Sequence, residues 1–136
     1  MSLRSVSLEY VILYVKDVLA SLSFYQSAFG LSRRFFNDDN GKAYGEFETG
    51  AVRLSFVSLA LATEQLKQDV IAASLHGAPL GFEVALVTAD VPGMFTHAVH
   101  AGATAVTEPT PKPWGQTVAY PRDPDGHLNC AQRCRD

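Results

Sequence analysis

The stretch YVILYVKDVLASLSFYQSAFG, Tyr10 to Gly30, returns in outline as FEVALVTADVPGMFTHAVHAG, Phe82 to Gly102. Each begins with a short apolar run, Tyr10 to Val15 and Phe82 to Val87, rich in β-branched and aromatic residues and bounded by turn residues, which reads as a strand. Asp17 and Asp90 follow as helix N-caps, because a carboxylate accepts the first unpaired helical N–H groups. Leu19, Leu22, Tyr25, Ala28 and Phe29 then share one side of the first predicted helix; Met94, Phe95, Ala98 and Ala101 share one side of the second. Gly30 and Gly102 close them as residues able to turn left-handed. A repeat of this kind decides the fold before any motif does.

Outward from the repeat, short strands are predicted at Ser32 to Phe36, Ala43 to Glu48 and Ala51 to Leu59, and again at Thr104 to Thr107, Thr117 to Pro121 and His127 to Gln132. Asn40-Gly41 and Thr49-Gly50 are hairpin signals, and Asp123-Pro124-Asp125-Gly126 is the clearest turn in the chain. The fold class is therefore α+β: two tandem βαβββ modules forming a curved mixed sheet with a concave cleft. Residues 1–136 make one domain, with module 1 at about 5–60, a linking helix at about 61–77 and module 2 at about 80–133. The linking helix is expected from Thr63, its cap, to Leu75, ending at Gly77 before Pro79 resets the chain. In each module one helix covers one sheet face. The other face is left to bind something or to stay wet.

Composition narrows the function. The 136 residues carry 11 basic and 14 acidic side chains, a net charge of −3, with 47% apolar residues. Neither a basic excess nor a Lys/Arg run is present, which argues against nucleic acid as a partner. The apolar runs are too short to span a bilayer, and the first residues show no secretory signal pattern. Cys130 and Cys134 form neither a disulfide framework nor a zinc-knuckle spacing, so a reduced, cytoplasmic protein is expected.

Phe24-Tyr25 with Phe29-Gly30-Leu31, Ala101-Gly102-Ala103, Pro113-Trp114-Gly115-Gln116 and Asp123-Pro124-Asp125-Gly126 together resemble the vicinal oxygen chelate superfamily, which groups glyoxalase I, bleomycin-resistance proteins, fosfomycin-modifying enzymes and extradiol dioxygenases. Tyr25 and Phe29 lie one helical turn apart and read as core. The aspartates of the turn read as occupied by turn geometry rather than as an acid–base pair.

The resemblance implies metal ligands, usually His, Glu or Gln, on the first and last strands of each module. Mapped here, these positions fall on Tyr10, on Glu83, on Cys130 and on one of Arg53, Leu54 or Ser55, since a one-residue step reverses the face. Glu83 and Cys130 mix a hard oxygen with a soft thiolate, and Tyr10 would have to ionise from near ~10. No metal and no cofactor are therefore expected. The four histidines restore no site: His97 and His100 read as a solvated helix face, His76 as the end of the linking helix, and His127 as turned away from Cys130.

The expected cleft lining is apolar and aromatic with few polar groups. Tyr10, Ile12 and Tyr14 share a strand face, as do Glu83, Ala85 and Val87. Such a mixture suits an amphipathic organic ligand. Tyr10, Tyr14, Arg53, Glu83, Trp114 and Cys130 are the candidate ligand-binding residues, with no catalytic residue assigned. Trp114 is expected in a Pro-rich loop, Pro109 to Gly115, either bordering the groove, as the resemblance implies, or covering the sheet edge. Glu83 faces a cationic ligand group, Arg53 or solvent. Cys130 reads as a small packing residue, since no base is placed beside it. The resemblance implies a homodimer that sequesters a small organic molecule; a metal-dependent glyoxalase-like lyase or dioxygenase-like enzyme is the alternative.

Overall fold

The computed structural model describes residues 4–133, which leaves Cys134 outside the described residues. The duplicated runs become β1 (Tyr10–Val15) and β5 (Glu83–Val87), each followed by its helix, α1 (Val18–Phe29) and α3 (Val91–His100). Asp17 Oδ1 accepts from the Ala20 N–H at 3.1 Å, and Asp90 Oδ1 accepts from that of Gly93 at 3.0 Å, as carboxylate caps should. Gly30, at φ 70°, ends α1 and donates its N–H to Gln26 O at 2.9 Å.

The remaining strands are β2 (Arg33–Asp39), β3 (Lys42–Phe47) and β4 (Arg53–Ser58) in module 1, and β6 (Thr104–Pro111), β7 (Thr117–Arg122) and β8 (Leu128–Gln132) in module 2. They form two four-stranded mixed sheets, ordered β1-β4-β3-β2 and β5-β8-β7-β6, with β1/β4 and β5/β8 parallel and the other pairs antiparallel. The two βαβββ modules of the expectation are present. The Pro-rich loop is a correction: β6 extends through Pro109 to Pro111, which an edge strand with two register shifts permits.

A second correction concerns the linker. Its helix, α2 (Leu59–Leu66), starts directly at the end of β4 and stops well before Leu75. Ser58 is the cap: its Oγ accepts from Leu61 N–H at 3.3 Å and also from Ala43 N–H at 3.0 Å. Thr63 lies inside the helix, and Lys67 ends it in a left-handed conformation at φ 58°. The buried Ala62 faces the sheet, whereas between Val70 and Leu75 the structure buries Ala73 alone and leaves Ile71 85% exposed, so a longer helix would gain little from packing. His76 accordingly sits in the irregular linker and not at a helix end.

The main core joins the modules on the helix side. Leu13, Val15, Leu22, Tyr25, Phe47 and Phe56 cluster with Ala98 and Ala103 of module 2. His97, expected on a solvated face, instead places Nε2 2.7 Å from Ser27 O, bridging α3 to α1. No helix among the described residues is long and apolar enough to cross a membrane.

Candidate functional site

With Leu13 and Val15 packed under α1, alternation turns Tyr10, Ile12 and Tyr14 to the sheet face away from the helix. Cross-strand register then fixes their neighbours. Tyr10 pairs with Arg53, Ile12 with Ser55 and Tyr14 with Val57; Ser55 in turn pairs with Glu46 and Val57 with Tyr44. In module 2, Glu83 pairs with Leu128 and Ala85 with Cys130, and the β7/β8 register sets Tyr120 opposite Cys130.

The repeat resolves the position left open among Arg53, Leu54 and Ser55. Cys130 pairs with the residue two past Glu83, and Ser55 pairs with the residue two past Tyr10, so Ser55 is the counterpart of Cys130. The halves therefore align as Tyr10–Ser55–Glu46 and Glu83–Cys130–Tyr120. Each puts one Tyr and one Glu around a small hydroxyl or thiol, with the two larger residues exchanged between strands.

In module 1 this face carries more polar groups than the sequence reading allowed for. Glu46 is buried, with Oε1 accepting the Tyr44 hydroxyl at 2.8 Å and Oε2 lying 3.4 Å from Arg34 Nε and 3.7 Å from Arg53 Nε. The Tyr44 hydroxyl also reaches Ser55 Oγ at 3.2 Å. Burial raises the Tyr44 pKa; the Ser55 contact opposes this and Glu46 reinforces it. Arg53 lies over the Tyr10 ring, 5.8 Å from its centre. Tyr44 and Glu46 show period-two spacing in the sequence, but which face they take depends on register with β4, which spacing does not supply.

In module 2, Cys130 is buried, and its thiol is pushed up to about 11 by that burial and by the Glu83 carboxylate beside it. Burial also raises Tyr120, with Cys130 and Glu83 adding to the effect. Arg53 and Glu83 line one cavity of about 460 Å³ yet form no ion pair with each other. Tyr10, Tyr14 and Cys130 do not line that cavity. Trp114 is 58% exposed at the tip of a tight turn, its Nε1–H donating to Gln116 Oε1 at 2.7 Å while Gln116 Nε2 donates to Arg133 O at 2.6 Å. It does not line the cavity shared by Arg53 and Glu83.

The family model described as the Glyoxalase/Bleomycin resistance protein/Dioxygenase superfamily matches residues 7–131. The chain belongs to this superfamily. Among solved structures the glyoxalase fold recurs at low identity. A glyoxalase-related enzyme from Fulvimarina pelagi is similar at 21% identity and TM-score 0.79, over 94% of this chain and 88% of that one. A glyoxalase/bleomycin resistance protein/dioxygenase family enzyme from Burkholderia phytofirmans PsJN is similar at 20% and 0.73, over 94% and 98%. TioX from Micromonospora sp. ML1 is similar at 23% and 0.69, over 93% and 98%. No curated protein matches the chain.

Metal-dependent members of the superfamily coordinate a divalent ion, and the donors here do not suit one. Of Tyr10, Ser55, Glu83 and Cys130, Glu83 supplies a carboxylate. Ser55 offers a fully buried hydroxyl already engaged by Tyr44, and the Cys130 thiol holds its proton at neutral pH. Elsewhere, Asp123, Asp125 and His127 bring three donor atoms within 4.8 Å of one another. Both oxygens of its central carboxylate are already engaged. Asp123 Oδ1 accepts the N–H groups of Asp125, Gly126 and His127; its Oδ2 accepts the Tyr25 hydroxyl and meets His127 Nδ1; and Asp125 Oδ2 accepts from Ser21. These aspartates are structural, as the turn reading expected, and they also tie α1 to module 2.

Proposed function

We propose that this glyoxalase-superfamily chain is a metal-independent binding protein of the bleomycin-resistance type, sequestering an amphipathic organic molecule against the sheet faces turned away from the helices. One observation carries the reading: the positions that would coordinate metal hold Tyr10, Ser55, Glu83 and a protonated Cys130, while Tyr10 and Ile12 leave apolar area exposed beside fixed polar groups. Apolar area supplies affinity in such a site and sparse polar groups set orientation. Tyr10 and Tyr14 act as aromatic surfaces, Arg53 and Glu83 as orienting charges, and Cys130 as a small neutral lining group. Trp114, its indole pinned through Gln116, contributes a stacking surface at the rim. A homodimer in the cytoplasm completes the reading, the second copy bordering the exposed apolar residues of β1 beside the ligand.

The experiment pairs metal analysis of untagged, chelator-free protein with a thermal-shift screen. Well under one divalent ion per chain is expected, with no rise in Tm on adding zinc, nickel or manganese and a rise with aromatic amphiphiles that Tyr10→Ala reduces. One tightly held ion per chain, with turnover of a methylglyoxal–thiol adduct or ring opening of a catechol, overturns the reading in favour of the lyase or dioxygenase alternative.

A further inference from the structure

This fold contains an arginine used structurally, and it shows what full satisfaction looks like. Arg122 is buried, and its three nitrogens each donate to a carbonyl: Nε to Gly126 O at 2.9 Å, Nη1 to Gly77 O at 2.9 Å and Nη2 to Ser74 O at 2.8 Å. Arg53 is treated otherwise. Its Nε is buried without a hydrogen-bond partner, and its side chain donates no hydrogen bond to any of the described residues. Its nearest acid, Glu46 Oε2, stands 3.7 Å from Nε, beyond hydrogen-bond range, and is shared with Arg34 at 3.4 Å. The other Glu46 oxygen is taken by Tyr44. Glu48, a second acid lining the same cavity, sits 3.5 Å from Arg34 Nη1 and makes no ion pair with Arg53.

The guanidinium is nevertheless held in place. Tyr10 stacks on it, and the cavity it lines is otherwise walled largely by aliphatic side chains, among them Val52, Leu54 and Val87. A planar fork of donors that stacks on a ring, lines the cavity and donates no hydrogen bond to the described residues matches an oxyanion such as a carboxylate or phosphate, which accepts two parallel N–H bonds. Glu83 borders the same cavity, but the Cys130 thiol and the Tyr120 hydroxyl beside it are neutral, and no cation among the described residues pairs with it.

We propose that Arg53 receives the anionic end of the ligand, so that the molecule sequestered is an amphipathic acid. The inference rests on the binding reading above and names the class of its ligand. A charge-assisted pair in such a setting corresponds to about ten- to a hundredfold in affinity.

The test compares 2-naphthoate, 2-naphthylmethanol and 2-naphthylmethylamine by fluorescence titration against wild type, Arg53→Gln and Arg53→Lys. Naphthoate is expected to bind wild type at least about tenfold more tightly than the alcohol. Arg53→Gln is expected to erase that preference by weakening the acid at least about tenfold more than the alcohol, and Arg53→Lys to keep part of it. Equal binding of acid and alcohol by wild type overturns the inference and leaves the binding reading standing. Acid preference that survives intact in Arg53→Gln also overturns it. Binding of none of the three probes overturns both. Should Arg53→Gln fail to fold, Arg53→Lys decides: an unchanged acid-to-alcohol ratio sinks the proposal, and a reduced one supports it.

Discussion

Tyr25 and Asp123 show how a single turn residue comes to hold two modules together. The Tyr25 hydroxyl donates to Asp123 Oδ2 at 2.7 Å and accepts from Asn129 Nδ2 at 2.9 Å, all within the buried interior. Tyr25→Phe removes a donor to a buried carboxylate and strands an amide whose Oδ1 already lacks a partner, so it should cost about 2 to 4 kcal/mol in urea unfolding. A change below about 0.5 kcal/mol would show the network to be dispensable. Asp125 makes a pH-dependent case. Burial raises its pKa, with Asp123 adding to the rise and Ser21 opposing it, so the folded state binds its proton more tightly than the unfolded state does. Stability therefore falls as pH rises through the carboxylate range. Asp125→Asn, which can still accept from Ser21, should raise Tm at pH 7, and the gap should close on acidification. Cys130 offers a third case. With its thiol near 11, about a thousandth or less is ionised at neutral pH, so iodoacetamide should label it slowly, as read by peptide mass spectrometry. Glu83→Gln should speed labelling by removing the neighbouring carboxylate. Fast labelling of wild type contradicts the protonated-thiol assignment.

Among elements, the sequence disclosed those whose local signals agree with their packing. Asp17, the apolar side of α1 and Gly30 all point to one helix, and the structure places it at Val18–Phe29. The linker misled because Thr63 and Gly77 look like caps, whereas Ser58, at the end of a strand, caps the helix while also bonding to β3. That second bond is tertiary and leaves no trace in spacing. The same holds for Tyr44 and Glu46, whose alternation is visible but whose face is set by pairing with β4. Two substitutions probe this scale. Lys67 caps α2 in a left-handed conformation that a side chain disfavours, so Lys67→Gly should stabilise the protein by about 0.5 to 1 kcal/mol despite the looser unfolded chain. Gly126→Ala should do the reverse. At φ 105° a side chain is strained, and an added Cβ would fall 2.7 Å from the Ser74 carbonyl carbon and 2.9 Å from Leu75 N, where Arg122 clamps the linker. Faster proteolysis of the linker between α2 and β5, alongside a lower Tm, is the expected result.

At the scale of the molecule, the joints and the candidate site lie on opposite sides of the sheets. Tyr25–Asp123, Ser21–Asp125 and His97–Ser27 fasten the modules on the helix side, leaving the other faces free of the work of holding the chain together. That division explains why superfamily membership was readable from motifs while the ligand was not: the Asp-Pro-Asp-Gly turn and the Phe24-Tyr25 pair belong to the joints, and the site faces vary independently of them. It also leaves Ile12 45% exposed and Phe35 52% exposed, together with Tyr10. Scattered exposed apolar residues are ordinary, but Tyr10 and Ile12 share one face of one strand, and in the proposed dimer a second copy borders that face beside the ligand. Ile12→Lys separates the two situations. On a monomer, a lysine at a half-exposed position should change stability by about 0.5 kcal/mol or less and leave sedimentation untouched. At a dimer interface it places a desolvated charge opposite apolar surface, so wild type should sediment as a dimer and the variant as a folded monomer at the same concentration. A wild type that sediments as a monomer removes the dimer from the reading and leaves the ligand alone to cover that face.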